Sequence, residues 1–104
     1  MQKIEILSAA GFPAAVRSGV VLVDFSRRNC SGSAAVSRVI DLLANDDGFP
    51  DAVRIARVHV DAAPLIAAKF RVETAPTLIL FRNGVEVRRH CGAADEACLL
   101  ALVE

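Results

Sequence analysis

This sequence of 104 residues lacks a net charge, a long apolar segment and a rich set of cysteines. Its 12 basic residues balance 12 acidic ones, so the composition does not predict binding to nucleic acid or to an anionic membrane surface. No uninterrupted apolar run is long enough to span a bilayer, and residues 1–5 lack the pattern of a signal peptide. We therefore expect a cytoplasmic protein that binds neither nucleic acid nor membrane.

Cysteine is scarce, with Cys30, Cys91 and Cys98 alone. Three scattered thiols are too few for the disulfide framework of a secreted protein, and they lack the paired spacing of a structural zinc site. His59 and His90 lack metal-ligand spacing as well, and we interpret both as structural or surface residues. We expect no metal and no cofactor.

Apolar residues, in contrast, make up 54% of the chain, which indicates a folded protein, and the length fits one domain over residues 1–104. The predicted elements are strands over 3–7, 20–26, 53–60, 77–81 and 85–90, and helices over 9–18, 34–44, 64–70 and 95–103. Ser8 is the predicted N-cap of the first helix, and Asp95 and Glu96 are placed in the first turn of the last. Asn83-Gly84 predicts a hairpin turn between the last two strands. The order β-α-β-α-β-α-β-β-α predicts an α/β fold with a mixed central sheet and helices on both faces.

Cys30 stands between the apolar run 20–26 and the helical pattern over 34–44. A buried strand that leads through a short turn into a helix would leave this cysteine at the helix N-terminus, where unpaired N–H groups stabilise negative charge. Such a position lowers the pKa of a thiol and makes it a nucleophile. The alternative, a small buried hydrophobe, is disfavoured by the polar neighbours Arg27, Arg28, Asn29 and Ser31.

Several segments, in their order and spacing, resemble the thioredoxin family over nearly the whole chain. They are residues 21–25 before Cys30, Val60-Asp61, residues 72–78 around Pro76, residues 81–84 and residues 91–93. The resemblance implies a thioredoxin-like fold and thiol–disulfide oxidoreductase activity, with Cys30 as the nucleophile. It also implies disulfide-containing or thiol protein substrates, with a thioredoxin reductase or glutathione as further candidate partners.

The active-site motif departs from the family's Trp-Cys-Gly-Pro-Cys, because this chain has Asn29-Cys30-Ser31-Gly32-Ser33. A mixed disulfide formed by the first thiol must be released by a second thiol, and the Ser33 hydroxyl cannot perform that exchange. We therefore expect impaired dithiol turnover and persistent mixed disulfides, with Ser33 free to hydrogen-bond the Cys30 thiolate. The sequence leaves open whether Ser33 is natural or an introduced replacement of cysteine that traps partners.

The resemblance also assigns roles to residues outside the motif. Asp24 would be the buried carboxylate beneath Cys30 that aids proton transfer, with its pKa raised by burial. Its alternative role is that of a strand carboxylate paired with Arg57. The Ala75–Pro76 bond would be cis, and the substrate-binding residues would be Ala75, Pro76, Gly92, Ser31 and Gly32.

The two remaining cysteines receive different interpretations. Cys91, in a loop that the resemblance places on the active-site face, is a candidate for an alternative resolving thiol, although an ordinary thiol near a strand end is the favoured interpretation. Cys98, next to Leu99 and Leu100, is predicted to lie in the core.

Two rival functions stay open. The first is a non-redox module in which the thioredoxin fold binds a peptide or protein and the cysteine is incidental, since fold alone does not fix function. The second is a carrier of iron–sulfur clusters or glutathione like the monothiol glutaredoxins, whose Cys-Gly-Phe-Ser motif this chain does not match.

Overall fold

The computed structural model describes residues 2–104, which contain the nine predicted elements in the predicted order. They are β1 (Glu5–Ile6), α1 (Phe12–Val16), β2 (Val20–Ser26), α2 (Ser31–Ala44), β3 (Val53–His59), α3 (Pro64–Lys69), β4 (Thr77–Arg82), β5 (Val85–Cys91) and α4 (Glu96–Leu102). Met1, part of the expected domain span, lies outside the described residues. Among those described, no helix has the length and apolar character needed to cross a membrane.

The strands form one five-stranded sheet in the order β1-β3-β2-β4-β5. Strands β1, β3 and β2 run parallel, whereas β4 is antiparallel to β2 and β5 is antiparallel to β4. Asn83 and Gly84 both have positive φ in the turn between β4 and β5, as a two-residue hairpin turn requires. The predicted mixed sheet and its closing hairpin are confirmed.

Strand β2 lies at the centre of the sheet and is buried on both faces. Val23 and its alternate neighbours pack with Phe12 of α1 in one apolar cluster. Leu22 faces the other way and packs with Ile40 of α2 and Leu99 of α4 in a second cluster. Because side chains alternate along a strand, one continuous apolar run supplies both cores. The prediction of helices on both faces is confirmed.

The first two elements are shorter than predicted. Helix α1 begins at Phe12 with Gly11 as its N-cap, so the prediction of Ser8 as N-cap is wrong. Pro13 has no N–H to donate to the carbonyl of Ala9, and the regular helix therefore cannot begin there. The Ser8 hydroxyl instead accepts the N–H of Gly11 at 3.1 Å in the preceding turn. Strand β1 pairs through two exposed residues only.

Helix α2 begins three residues earlier than predicted, at Ser31, with Cys30 as its N-cap. Ser and Gly are poor helix formers, which is why the pattern placed residues 31–33 outside the helix. The first turn tolerates them because its N–H groups have no intrahelical partner to lose. The carbonyl of Cys30 accepts the N–H of Ala34 at 2.9 Å and begins the helical ladder.

The remaining corrections are small. Asp95 is the N-cap of α4 rather than a first-turn residue, and its carboxylate accepts the N–H of Cys98 at 2.9 Å. Strand β5 continues through Cys91, which therefore lies in the strand and not in the following loop. The ends of β3, α3, β4 and α4 differ from the predicted ends by one residue, an ordinary uncertainty of element boundaries.

Burial on both faces of β2 makes the central strand sensitive to the loss of side-chain volume. We expect Val23→Ala to lower the free energy of unfolding by about 2 kcal/mol, because it removes two buried methyl groups and leaves a cavity. The matched control is Val85→Ala, since Val85 is 63% exposed whereas Val23 is 0% exposed. Urea unfolding measures both variants, and an equal loss in the two would contradict the assignment of β2 to the core.

Candidate active site

Cys30 lies where the central strand meets α2. Strand β2 ends at Ser26, and a three-residue turn leads to Cys30. Asn29 in this turn has φ of 59°, a left-handed conformation that asparagine adopts more readily than most residues. The predicted position of Cys30 at a helix N-terminus is present, with extended backbone at φ −122° and ψ 117°. Its side chain is half-buried.

The N-terminus of α2 lowers the pKa of the Cys30 thiol. The backbone N–H of Ser33 is the largest cause, and the Ser33 hydroxyl acts in the same direction. The N–H of Gly32 and the positive charge of Arg27 lower the pKa further, while partial burial opposes them. Because the thiolate is the attacking form of cysteine, this arrangement raises the fraction of reactive Cys30 at neutral pH.

Ser33 is buried and faces the turn before Cys30. Its side chain is 1% exposed, and its hydroxyl oxygen accepts the N–H of Arg27 at 3.1 Å. The same hydroxyl thus holds the turn in place and stabilises negative charge on Cys30. This position carries no thiol, so Cys30 and residue 33 cannot form a disulfide.

The segment around Pro76 lies directly against Cys30. The Ala75–Pro76 bond is cis, as the resemblance implies. The Sγ atom of Cys30 is 4.0 Å from the carbonyl oxygen of Ala75. A Cβ atom on Gly32 would lie 3.5 Å from Cδ of Pro76, and the N–H of Gly92 donates to the carbonyl of Pro76 at 2.9 Å. The structure therefore brings Cys30, Gly32, Ala75, Pro76 and Gly92 together at one end of the sheet.

Asp24 is fully buried in β2, two residues before the end of the strand. Its Oδ2 atom accepts from the Ser37 hydroxyl at 2.8 Å and from Nε of Arg57 at 2.8 Å, while its Oδ1 atom has no hydrogen-bond partner among residues 2–104. Burial raises the pKa of Asp24, and Arg57 and Ser37 act in the opposite direction. The pairing with Arg57, stated above as the alternative role, is present, and so is the expected raised pKa. Arg57 also contacts Asp41 at 3.2 Å.

A cleft of about 430 Å³ opens beside Cys30, and the sequence did not predict it. Its lining consists mainly of cationic and hydroxyl side chains: Ser26, Arg27, Arg28, Asn29, Cys30, Ser31, Ser33, Ala34, Ser37, Arg57 and His59. Ser37 was missed altogether by the sequence reasoning. Its signal was its spacing of four residues from Ser33, which places both hydroxyls on one face of α2.

The other two thiols belong to other elements, Cys91 to β5 and Cys98 to α4. Cys91 is exposed at the end of β5 and pairs in register with Thr77, next to Pro76. Cys98 is partly exposed, which corrects its predicted place in the core, because Leu99 rather than Cys98 turns toward the sheet. The sulfur of Cys98 lies 3.5 Å from Nδ1 of His90. No group of three or more metal-ligating side chains occurs among residues 2–104.

The sequence of this chain is similar to those of known proteins. The sequence model of the family described as Thioredoxin matches residues 3–104. A thioredoxin of Chlamydia muridarum (strain MoPn / Nigg) is 36% identical over 100 residues, covering 96% of this chain and 95% of the relative. The bifunctional thioredoxin reductase/thioredoxin of Mycobacterium leprae (strain TN) is 35% identical over 98 residues, covering 93% of this chain and 21% of the relative.

Solved structures agree with the sequence relatives. A point mutant of a thioredoxin from Halobacterium salinarum NRC-1 superposes with a TM-score of 0.85 at 25% identity, covering 97% of this chain and 88% of that one. A thioredoxin of Malassezia sympodialis has the same fold, with a TM-score of 0.87 at 22% identity over 99% of this chain and 93% of that one. With its sheet order, its cis proline and its cysteine at the start of α2, the chain belongs to the thioredoxin family of thiol–disulfide oxidoreductases.

Proposed function

We propose that this protein performs thiol–disulfide exchange on protein partners through one attacking thiol, Cys30, and holds them as mixed disulfides. The observation that carries the proposal is Cys30 itself: a thiol of lowered pKa that caps α2 beside Pro76, with a buried serine three residues later. Attack needs the first thiol only, whereas release needs a second one. Attack and release are therefore separated in this chain.

The cis-Pro76 segment is the proposed docking groove. An extended partner segment can pair its backbone with exposed chain beside Pro76, as peptides do when they add to a sheet edge. Gly32 lies beside Pro76 on the Cys30 side of this groove, Gly92 is held beside Pro76 by its N–H bond to the Pro76 carbonyl, and Ser31 is a further proposed contact for the partner. Gly92 has φ of 91°, so glycine is the residue that fits there.

The proposed partners are proteins with accessible disulfides or thiols. A thioredoxin reductase is a further candidate, which the bifunctional relative of Mycobacterium leprae supports, because that protein carries both names in one chain. Cys91, exposed and next to the groove, is the proposed alternative source of a resolving thiol within the chain. The rival hypothesis, a non-redox binding module, uses the same groove and assigns no role to the Cys30 thiol.

Asp24 is proposed to exchange protons with the site from its buried position in β2. Its carboxylate accepts a hydrogen bond from the Ser37 hydroxyl, and Ser37 lines the cleft beside Cys30. The Ser37 hydroxyl would let the carboxyl exchange a proton with groups in the cleft. Its bond to Arg57 fixes the guanidinium in the cleft wall at the same time.

We expect the protein to form adducts with partner proteins that last until a strong reductant is added. Incubation with cell extract, followed by blocking of free thiols, should give bands on non-reducing gels that dithiothreitol removes. Cys30→Ser should abolish these bands, while the control variants Cys91→Ser and Cys98→Ser should keep them. Adducts that survive the loss of Cys30, or the absence of any adduct, would favour the binding module.

We expect Ser33→Cys to produce disulfide-reductase turnover in an insulin assay coupled to a reductase, with a gain of about tenfold or more. A neighbouring thiol releases a mixed disulfide far faster than a dilute external one does. Cα atoms three residues apart on a helix are about 5 Å from each other, within the Cα–Cα range of about 4.4–6.8 Å that a disulfide can bridge.

The matched control is Ser31→Cys, which adds the same thiol directly next to Cys30. Adjacent Cα atoms are about 3.8 Å apart, below the usual range for a disulfide of about 4.4–6.8 Å, so this variant should gain nothing. Equal turnover of the unaltered protein and Ser33→Cys would show that Cys91 already resolves the intermediate.

The raised pKa of Asp24 predicts a pH-dependent contribution to stability. Because the folded pKa exceeds the unfolded one, the carboxyl binds its proton more tightly in the folded state. This stabilisation is present below the unfolded pKa of about 3.9 and is lost as pH rises through the folded pKa. The free energy of unfolding, relative to that of Asp24→Asn, should therefore fall as pH rises from about 4 through the raised folded pKa. A difference that grows with pH in urea unfolding would show that Arg57 outweighs burial.

A further inference from the structure

The cleft beside Cys30 is lined by basic and serine residues. Arg27, Arg28 and Arg57 line it together with four serines, and no acidic residue of the described range 2–104 lines it. Its volume of about 430 Å³ lies toward the lower end of the range of about 300–1,000 Å³ for small-molecule sites. The space is sufficient for a short peptide but not for a folded partner.

Two of the three arginines that line the cleft form ion pairs with carboxylates. Arg28 pairs with Asp61 at 3.1 Å, and Arg57 pairs with Asp24 at 2.8 Å. Arg27 makes no ion pair in the part of the chain that the structure describes, and its charge acts on Cys30. An anion entering the cleft would therefore meet an uncompensated positive charge close to the reactive sulfur.

The cleft and the docking groove border different sides of Cys30. Ala75, Pro76 and Gly92 form the groove, and none of them lines the cleft. Ser33 lines the cleft and occupies the position from which a second thiol of the motif would attack. A partner bound in the groove thus leaves the cleft open on the side where release must begin.

We propose that the cleft binds a small anionic thiol, a cysteine-containing peptide with free carboxylates, which releases the partner from Cys30. This inference rests on the proposed function, because it supplies the thiol that residue 33 lacks. Arg27 attracts the carboxylates, and the hydroxyl oxygen of Ser37, whose proton is donated to Asp24, can accept a hydrogen bond from an N–H of the peptide. The sulfur of the bound thiol then faces the Sγ atom of Cys30.

The chemistry balances with two molecules of the small thiol. The first, as thiolate, attacks the Sγ atom of Cys30. The bond from Cys30 to the partner breaks, the partner leaves as a thiolate that takes up a proton, and Cys30 becomes disulfide-bonded to the small thiol. The second attacks the sulfur of the small thiol in this new bond, and Cys30 leaves as thiolate. The partner is reduced, and two small thiols are oxidised to one disulfide.

The test uses glutathione as the anionic probe and mercaptoethanol as the neutral one. Cys30 is converted to its 2-thiopyridine mixed disulfide in a Cys91→Ser, Cys98→Ser form of the full chain, and release of thiopyridone is followed by absorbance. The same adduct in urea gives the ratio of the glutathione rate to the mercaptoethanol rate for the unfolded chain. In the folded protein we expect this ratio to be higher by a further threefold to tenfold, an effect on the order of that of one nearby opposite charge. The rate should also saturate with glutathione and stay linear with mercaptoethanol.

Arg27→Gln should remove most of the glutathione advantage, measured as the ratio of the glutathione rate to the mercaptoethanol rate, because both reagents attack as thiolates and only glutathione carries carboxylates. The matched control is Arg82→Gln, which makes the same charge change at the exposed far end of β4 and should leave both rates unchanged. S-methylglutathione, which has no thiol, should compete with glutathione in the unaltered protein and not in Arg27→Gln.

The outcomes separate this inference from the proposed function. Failure of Cys30 to form partner adducts in the extract experiment would overturn the function. A different result would overturn the cleft as a binding site while the adducts still form. In that result the glutathione rate is linear in concentration, the ratio of the glutathione rate to the mercaptoethanol rate is the same folded and in urea, and Arg27→Gln does not change this ratio. Equal losses in Arg27→Gln and Arg82→Gln would also overturn it, because the effect would then be one of net charge.

Discussion

The junction between β2 and α2 is the constraint on which the site depends. Strand β2 is hydrogen-bonded on both edges, to β3 and β4, and is buried on both faces. Its end therefore cannot move without disturbing both cores. The Ser33 hydroxyl ties the first turn of α2 back to the N–H of Arg27, so the helix N-terminus is held at the same point. Cys30 receives its electrostatic environment from this fixed corner.

Ser33 fits its buried position in α2 but cannot take part in thiol exchange. A buried position at the third residue of α2 needs a small side chain, and its polar atom needs a partner. Serine meets both needs by accepting the Arg27 N–H, and its hydroxyl still lowers the pKa of Cys30. What it cannot supply is a second thiol. The proposed single-thiol chemistry thus follows from one atom, the hydroxyl oxygen that stands where a second sulfur would be needed.

The order of elements, the mixed sheet, the hairpin and the cis bond at Pro76 were predictable from sequence. Apolar runs and turn residues encode the strands, and the spacing of short motifs identifies the family. The start of α2 was misplaced because Ser31 and Gly32 have low helix propensity, and only the capping geometry of Cys30 shows that the helix includes them. Cys98 was misplaced because helical spacing alone does not tell which neighbour of Leu99 turns outward. The cleft could not be predicted from the sequence, because it forms where residues from β2, α2 and β3 meet in the folded chain.

The buried pair of Asp24 and Arg57 positions an arginine in the lining of the cleft. Removing one partner of a buried ion pair leaves the other charge uncompensated, at a cost of about 3–5 kcal/mol. Asp24 therefore fixes Arg57 in the cleft wall, and Ser37 links the same carboxylate to the cleft. Residue 33 has no thiol to receive or lose a proton, so the proposed proton exchange of Asp24 would involve a ligand of the cleft, reached through Ser37. An anionic thiol bound there would lie near the Arg57 guanidinium and near the buried carboxyl of Asp24, whose pKa is raised by burial.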